Sequence, residues 1–210
     1  MEATRGSEAA RTTEYGPLTK QLVCFPWYVV NGSRERFRSA TDNGLRTTDE
    51  AKMGHELFIT LEGIDGTGKS TQLRLLVQYL KKRGFAVRAT REPGGTKVGE
   101  RIRKILLAST TTRLAPLAEL ALMYAARAQH LQEVIRPALA KGEIVVSDRY
   151  NDASFAYQGY GRELGVQTVR AFDRIICART QPDLTLVLDL PPHLSLKRAQ
   201  GRESRRKSKQ

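Results

Sequence analysis

The sequence predicts an α/β fold in which a parallel sheet is covered by helices on both faces. Short apolar, partly β-branched runs alternate along the chain with longer segments whose apolar residues recur at helical spacing. The first of these runs, Leu57–Leu61, ends in a glycine-rich turn that leads directly into a helical segment. Strands that alternate with helices form a parallel sheet with helices packed on both sides.

Each element of this prediction has a local signal. Leu73, Leu76, Val77 and Leu80 fall on one helical face, and Gly84 is a helix stop signal. The predicted strands are 58–61, 86–90, 144–147 and 184–189. Further helices are predicted over 98–107, 117–135 and 164–178, and a last one begins over 194–199. We expect the first strand to be internal and the strand at 184–189 to lie at an edge.

Composition places the chain in the globular class. It has 210 residues, 40% hydrophobic and 27% charged, enough for one domain of ordinary size. No apolar run approaches the roughly 18 residues that cross a bilayer, and the run Leu22–Val30 is interrupted by Pro26. Cys24 and Cys177 are far apart, which favours a reducing compartment and predicts a cytoplasmic protein.

The net charge of +13 raises nucleic-acid binding as an alternative. Residues 197–210 carry seven basic side chains and one acidic one, so much of the surplus lies in this tail. A nucleic-acid-binding protein with incidental ATPase activity would show a steep salt dependence. Because no stacking aromatic residues are interleaved with the basic ones, we expect no nucleic-acid partner.

The first 52 residues differ from the rest of the chain. They show no sustained period and no repeat, so we predict a poorly ordered extension. One hypothesis is that translation starts at Met53 and the extension is an artefact of gene prediction, and a regulatory extension is the alternative. The predicted organisation is an extension over 1–52, a nucleotide-binding domain over 53–200 and a basic tail over 201–210.

The segment Gly63–Ser70 matches the phosphate-binding pattern GxxxxGK[ST] between a strand and a helix. Its glycines let backbone N–H groups surround the β-phosphate of ATP, Lys69 reaches the β- and γ-phosphates, and Ser70 ligates Mg²⁺. ATP and Mg²⁺ are therefore the predicted cofactors. The predicted ATP-binding residues are Gly63, Ile64, Asp65, Gly66, Thr67, Gly68, Lys69, Ser70 and Thr71.

A P-loop occurs in GTPases, motor ATPases and small-molecule kinases, so further residues must distinguish these classes. Three segments of this chain resemble bacterial thymidylate kinase: 62–72, 91–96 and the stretch from Asp148-Arg149-Tyr150 to Arg162. The resemblance runs from about Leu57 to about Arg202. It implies a P-loop kinase that transfers the γ-phosphate of ATP to dTMP and yields dTDP, and it makes a homodimer possible.

The resemblance also implies roles at the acceptor phosphate. Asp65 matches the residue that holds the sugar 3′-hydroxyl, and Arg91 and Arg149 match the arginines that clamp the phosphate. Arginine suits this task because its forked donors hold phosphate oxygens in a fixed geometry. Asp148 is expected to hold Mg²⁺ through water or to orient Arg149, and an ordinary strand-end cap is the alternative. The predicted catalytic residues are Lys69, Arg149, Asp65 and Arg202.

At the nucleoside the resemblance implies a base site and a sugar site. Tyr157 is expected to pack where a 2′-hydroxyl would protrude, which discriminates against ribose. Two positions depart from the family pattern: Met123 stands where Phe usually stacks on the base, and Ala153 stands where Ser is frequent. We expect looser stacking, since a thioether still covers a base face by dispersion. The residues expected to face the polar edge of thymine are Arg127, Ser154 and Gln158.

The family divides by whether its catalytic arginine lies in the P-loop or in a lid. Gly66 occupies the P-loop position, so the resemblance implies the lid class. A lid is expected from about Gly201, where Arg202, Arg205 and Arg206 would supply the charge. The continuation typical of the family, including a fifth strand and a final helix, is expected to be missing. This predicts impaired turnover, and a nucleotide-binding fragment without activity is the alternative.

Overall fold

The computed structural model describes residues 27–30, 56–108 and 114–207, which form a five-stranded sheet with helices around it. The strand order is β1-β5-β2-β4-β3. The strands are β1 (Trp27–Val30), β2 (Phe58–Glu62), β3 (Val87–Arg91), β4 (Ile144–Asp148) and β5 (Leu184–Leu188).

Strand β2 lies at the centre and pairs in parallel with β4 on one side and β5 on the other. Strand β3 pairs in parallel with β4, so four strands run in one direction. The predictions of a parallel sheet and of an internal P-loop strand are confirmed. The carboxyl ends of β2, β3 and β4 consequently meet at the same end of the sheet.

The prediction that residues 184–189 form an edge strand is wrong. β1 covers that edge and pairs with β5 in antiparallel orientation, with Trp27 opposite Leu188. The fifth strand therefore comes from the segment predicted to be poorly ordered, and the rest of 1–52 lies outside the described residues. Within the described ranges there is no fifth parallel strand, as the sequence predicted.

Helices connect the strands at nearly the predicted positions. The segment expected as one helix over 117–135 is α3 followed by a wider π-helical turn. This turn ends two residues before Pro137, which has no backbone N–H. The helices are α1 (Lys69–Lys82), α2 (Lys97–Ala108), α3 (Pro116–His130), the π-helical turn Leu131–Ile135, α4 (Arg136–Leu139), α5 (Asn151–Ser154), the π-helical segment Phe155–Gly161, α6 (Val166–Ile176) and α7 (Pro192–Lys207).

Two regions depart from the predicted helices. Residues 151–161 are helical, although no helix was predicted there. At the other end of the chain, α7 continues through Gly201 to Lys207, where the lid was expected to begin. Among the described helices, none is long and apolar enough to cross a bilayer.

The sheet has a hydrophobic core on each face because successive strand residues alternate between the two sides. Phe58 and Val145 pack with α3 and α6 residues such as Tyr124 and Val169. Ile59, Leu61 and Val146 of the same two strands pack on the opposite face against the apolar stripe of α1: Leu73, Leu76, Val77 and Leu80. Helices on both faces, as predicted, hold the strand ends rigidly around the site.

Candidate active site

A cavity of about 260 Å³ opens where the carboxyl ends of β2, β3 and β4 meet. Ligands of open α/β sheets bind at this position, because loops from several strands converge there. Its lining combines P-loop residues with residues that follow β3 and β4: Asp65, Gly66, Gly68, Lys69, Ser70, Arg91, Glu92, Pro93, Arg103, Leu107, Asp148 and Arg149.

The P-loop holds its lysine close to the backbone. The Lys69 ammonium donates hydrogen bonds to the carbonyl oxygens of Gly63 at 2.7 Å and Ile64 at 2.9 Å. Burial lowers the pKa of Lys69, and the neighbouring Arg149 lowers it further, while Asp148 and Asp65 oppose the shift. The side chain lies 3.7 Å from the Asp65 carboxylate, at the mouth of the cavity.

Gly66 is the tightest point of the P-loop. It has a φ of +98°, and a Cβ built on it would lie 2.0 Å from the carbonyl oxygen of Ser195 at the start of α7. A side chain at this position, arginine included, would require α7 to move. This contact is consistent with the predicted absence of a catalytic arginine from the P-loop.

Ser70 and Asp148 form an oxygen-rich pair at the first turn of α1. The Ser70 hydroxyl donates a 2.9 Å hydrogen bond to Asp148 Oδ2, and this bond is exposed to solvent. A hydroxyl and a carboxylate fit Mg²⁺, which prefers few protein oxygens and keeps several waters. The described residues contain no cluster of three or more His, Cys, Asp or Glu that would indicate a metal site made only of protein ligands.

Arg149 sits in a strained turn that several contacts fix. Its φ is +75°, unusual for a residue other than glycine. The backbone of Arg149 donates to Leu61 O at 3.0 Å, and Ser147 Oγ donates to Arg149 O at 2.8 Å. The guanidinium donates to Asp65 Oδ1 at 2.8 Å, and its centre lies 5.3 Å from the ring of Tyr157. The side chain is thereby directed into the cavity.

Glu62, the last residue of β2, holds the same turn through the backbone of Tyr150. Its carboxylate accepts a 2.8 Å hydrogen bond from the backbone N–H of Tyr150, and the residue is 6% exposed. Burial raises the pKa of Glu62 to about 7, although the Tyr150 hydrogen bond acts in the opposite direction.

Arg91 and Arg103 line the cavity from the side of β3. Arg91 donates to both carboxylate oxygens of Glu100, at 3.1 and 3.0 Å, and this pair is exposed. Arg103, which the sequence analysis did not single out, donates to the Pro93 carbonyl at 2.7 Å. Arg91 and Arg149 therefore face the same cavity, as a phosphate clamp requires.

Arg127 is completely buried beside this cavity. Its Nε donates to Glu92 at 2.6 Å, and its Nη2 donates to the Tyr150 carbonyl at 2.9 Å and to Ser154 Oγ at 3.1 Å. The guanidinium lies 4.5 Å from the centroid of the Tyr124 ring. Its Nη1 has no hydrogen-bond partner among the residues that the structure describes.

Glu92 joins Arg127 to a second buried side chain. The other carboxylate oxygen of Glu92 lies 3.0 Å from His130 Nδ1, and His130 Nε2 lies 2.6 Å from Thr90 Oγ1. Glu92 and His130 are 3% and 0% exposed. This buried chain leaves the Arg127 guanidinium little freedom to rotate.

Gln158 presents a second buried polar atom without a partner in the described ranges, its Oε1. Its Nε2 donates to Glu119 at 2.7 Å, and the other oxygen of Glu119 accepts two hydrogen bonds from Arg162. Ser154 and Gln158 are four residues apart in the helical stretch 151–161, so they share one side of it.

The remaining predicted residues have simpler surroundings. Tyr157 is 44% exposed beside Arg149, and Ala153 is buried. Met123 is half-buried on α3, one turn before Arg127. Arg202 lies within α7, so its predicted catalytic role stays a prediction.

Sequence reasoning missed the residues that hold the predicted ones in place. Glu62 and Glu92 stand inside motif segments that the sequence analysis quoted without assigning them a role. An acidic residue within an otherwise apolar strand, as at Glu62, is a usable signal of a buried polar contact. Glu119, His130 and Arg103 lie on helices, where nothing local distinguishes them from surface residues.

Comparisons with known proteins show which family this chain is similar to. The family model described as thymidylate kinase matches residues 61–210. The chain is 52% identical over 146 residues to the thymidylate kinases of Pseudomonas syringae pv. syringae (strain B728a) and Pseudomonas entomophila (strain L48), covering 70% of this chain and 70% of each of them. A solved structure of thymidylate kinase from Ehrlichia chaffeensis is 36% identical, with a TM-score of 0.61 over 68% of this chain and 76% of that one.

Proposed function

The chain belongs to the thymidylate kinase family, whose reaction transfers the γ-phosphate of ATP to dTMP and yields dTDP, and we propose which of its residues perform each part of that reaction. In this proposal the P-loop binds ATP, Arg91 and Arg149 bind the acceptor phosphate, and Arg127 and Gln158 read the base.

Four buried side-chain polar atoms of the described residues have no partner, and the observation that carries the proposal is that two of them, Arg127 Nη1 and Gln158 Oε1, belong to side chains expected to face the base. One is a donor and the other an acceptor, and Ser154 links them spatially because it contacts Arg127 and lies one turn before Gln158. Buried polar groups are costly unless paired. The imide edge of thymine offers the complementary set, a carbonyl oxygen for Arg127 and the N3–H for Gln158.

A protein accelerates phosphoryl transfer mainly by aligning the two substrates and by stabilising the charge of the transition state. An oxygen of the dTMP phosphate attacks the γ-phosphorus of ATP, the bond from that phosphorus to the β–γ bridging oxygen breaks, and ADP leaves with the bridging oxygen. Lys69 stabilises charge on the β- and γ-phosphate oxygens. Arg149 and Arg91 hold the acceptor phosphate in line, because both line the cavity that the P-loop closes.

Ser70 and Asp148 would hold Mg²⁺. When bound, the ion supplies charge neutralisation at the β- and γ-phosphate oxygens. Their 2.9 Å contact leaves both oxygens at the mouth of the cavity, where a hydrated ion has access. Asp148 ends β4 directly before Arg149, so the proposed metal ligand and the proposed phosphate clamp are neighbours in the chain.

The sugar is held between Asp65 and Tyr157 in this proposal. Asp65 accepts a hydrogen bond from Arg149 and has a side chain 77% exposed, so it also has an accessible oxygen for the 3′-hydroxyl. The Arg149 guanidinium lies 5.3 Å from the centre of the Tyr157 ring, and we assign to this ring the crowding that excludes a 2′-hydroxyl. Replacing Tyr157 with alanine is expected to improve the use of the ribonucleotide relative to dTMP.

A coupled assay that follows ADP release tests the reaction, with dTMP and its ribonucleotide as acceptors. Membership of the family does not favour the impaired turnover that the sequence predicted, so the wild type is expected to release ADP in proportion to dTMP. Lys69→Met is expected to abolish turnover while dTMP still binds. Arg149→Lys should raise KM for dTMP and lower kcat, because a point charge does not reproduce a forked donor. Unchanged kinetics in Arg149→Lys would refute the clamp.

Two further properties belong to the same proposal. We expect the protein to act in the cytoplasm, where its nucleotide substrates are available, and to form a homodimer. The packed pair α2 and α3 supports the dimer because Ile105 and Leu117 on these helices are more than half exposed. Light scattering of the purified chain would measure its mass in solution.

A further inference from the structure

The Glu119 carboxylate contacts one end of the Gln158 side-chain amide. Glu119 lies in the first turn of α3, and Gln158 lies on the π-helical segment after α5, so the contact joins two elements. Oε1 of Glu119 accepts from Gln158 Nε2 at 2.7 Å. An ionised carboxylate only accepts hydrogen bonds, so only the NH₂ end of the amide can face it.

Arg162 keeps Glu119 ionised and in place. Its Nε and Nη2 donate to Glu119 Oε2 at 3.1 and 2.6 Å. Burial raises the pKa of Glu119, but the hydrogen bonds from Arg162 and Gln158 outweigh it, and the pKa lies below its ordinary value. The Glu119 side chain is 14% exposed, so water competes little for its oxygens.

The carbonyl end of Gln158 then points away from Glu119. Gln158 is 4% exposed, and its Oε1 is buried without a partner in the part of the chain that the structure describes. An acceptor at this position pairs with a base that carries N3–H and repels a base whose N3 is a lone pair. Thymine has the first pattern and cytosine has the second.

We propose that Glu119 is a specificity-determining positioning residue, which selects thymine over cytosine by fixing the Gln158 amide with its carbonyl toward the base. The inference rests on the proposed role of Gln158 in reading the base. It assigns no contact between Glu119 and the substrate, and it predicts that the chemistry of Glu119 changes base choice more than it changes turnover.

Glu119→Gln is the most informative variant because Arg162 remains in place and fixes the orientation of the new amide. The carbonyl oxygen of the new amide will accept from Arg162, which leaves its NH₂ facing Gln158. Gln158 must then turn its carbonyl toward residue 119 and its NH₂ toward the base. The base site changes from an acceptor to a donor without a change in volume.

The measurement is kcat/KM for dTMP and for dCMP with saturating ATP. We expect the dTMP-to-dCMP ratio to fall at least about tenfold in Glu119→Gln, with a loss on dTMP and a gain on dCMP. Glu143→Gln is the matched control, because it makes the same substitution in an ion pair with Arg88 that lies away from the base site, and its ratio should stay within about twofold of the wild type. Equal losses on both nucleotides in Glu119→Gln would overturn the proposal.

Gln158→Met separates this proposal from the one on which it rests. If Gln158→Met changes the ratio and Glu119→Gln does not, Gln158 reads the base but Glu119 does not orient it, and only the present inference fails. If Gln158→Met leaves the ratio unchanged, the base-reading assignment fails and the inference fails with it. Thermal unfolding of each variant shows whether it is folded at the assay temperature.

Discussion

At the scale of single residues, the proposed base site contains one buried charge, that of Arg127. The Arg127 guanidinium is fully buried, and its partner Glu92 is 3% exposed. Moving both charges out of water is costly, and their attraction offsets that cost only with short, well-aligned hydrogen bonds. The 2.6 Å bond to Glu92 and the bonds to Tyr150 and Ser154 meet this condition.

Glu92→Gln is expected to destabilise the fold by about 3–5 kcal/mol, because it leaves the Arg127 charge buried without a counter-ion. Urea unfolding measures the loss. Glu143→Gln is the matched control, because it breaks the ion pair with Arg88, whose side chain is 50% exposed, and should cost about 1 kcal/mol or less. Similar losses in the two variants would mean that burial of the pair contributes little.

At the scale of elements, the P-loop is positioned by α7 as well as by β2 and α1. The Ser195 carbonyl lies against Gly66, and Ser195 itself is fully buried. Gly68, two residues later, has almost the same φ of +100° but nothing within 4 Å of a built Cβ. The two glycines therefore share a backbone requirement and differ in steric contact.

Gly66→Ala and Gly68→Ala separate these two effects. Gly68→Ala should cost only the left-handed backbone strain, about 1–2 kcal/mol. Gly66→Ala should cost at least about 2 kcal/mol more, because α7 must shift away from the new methyl group. Urea unfolding without ligand measures the free energy of unfolding of both variants. Equal losses in the two variants would show that α7 shifts away from the methyl group at no energetic cost.

Strand β1 protects the outer edge of β5. An uncovered strand edge exposes backbone donors and acceptors that pair with other chains, so covering it matters for solubility as well as stability. The antiparallel register runs from Trp27 opposite Leu188 to Val30 opposite Thr185.

A double variant, Tyr28→Pro with Val29→Pro, is expected to detach β1. Successive N–H groups alternate in direction along a strand, so at least one of the two prolines removes a bond to β5. Hydrogen exchange of residues 184–188 should accelerate at least about tenfold. The control Tyr28→Thr with Val29→Thr keeps both N–H groups, and unchanged exchange in the proline variant would argue against the pairing.

At the scale of the whole molecule, Glu62 couples stability to pH. The folded state raises the pKa of Glu62 from 4.5 to about 7, so between these values the folded chain holds a proton that the unfolded chain releases. Its contribution is fully present below pH 4.5 and is lost as pH rises through 7. Between pH 4.5 and pH 7 the free energy of unfolding that Glu62 contributes falls by about 3 kcal/mol.

Glu62→Gln should therefore remove part of the fall in unfolding free energy between pH 5 and pH 7. The amide is neutral throughout, and it can still accept from the Tyr150 N–H. Urea unfolding at a series of pH values measures the slope. Glu56→Gln, at an exposed position, should leave the slope as in the wild type. The same slope in wild type and Glu62→Gln would show that Glu62 does not titrate in this range.

The sequence by itself determined the four parallel strands, the P-loop and the order of the motifs around the cavity. These features follow from local patterns: the apolar run before Gly63, the helical spacing of Leu73 to Leu80, and the fixed positions of Lys69 and Ser70. Each pattern lies within about twenty residues, where periodicity and turn chemistry act directly.

The tertiary structure alone decided what surrounds these motifs. β1 pairs with β5 across more than 150 positions of sequence, and Glu119 accepts a hydrogen bond from Gln158, which is 39 residues away. Residues 151–161 become helical despite Gly159 and Gly161, because Ser154 and Gln158 are held by partners on α3. Contacts between distant segments leave no period in the sequence, so only the folded chain shows which polar side chains hold the predicted site in place.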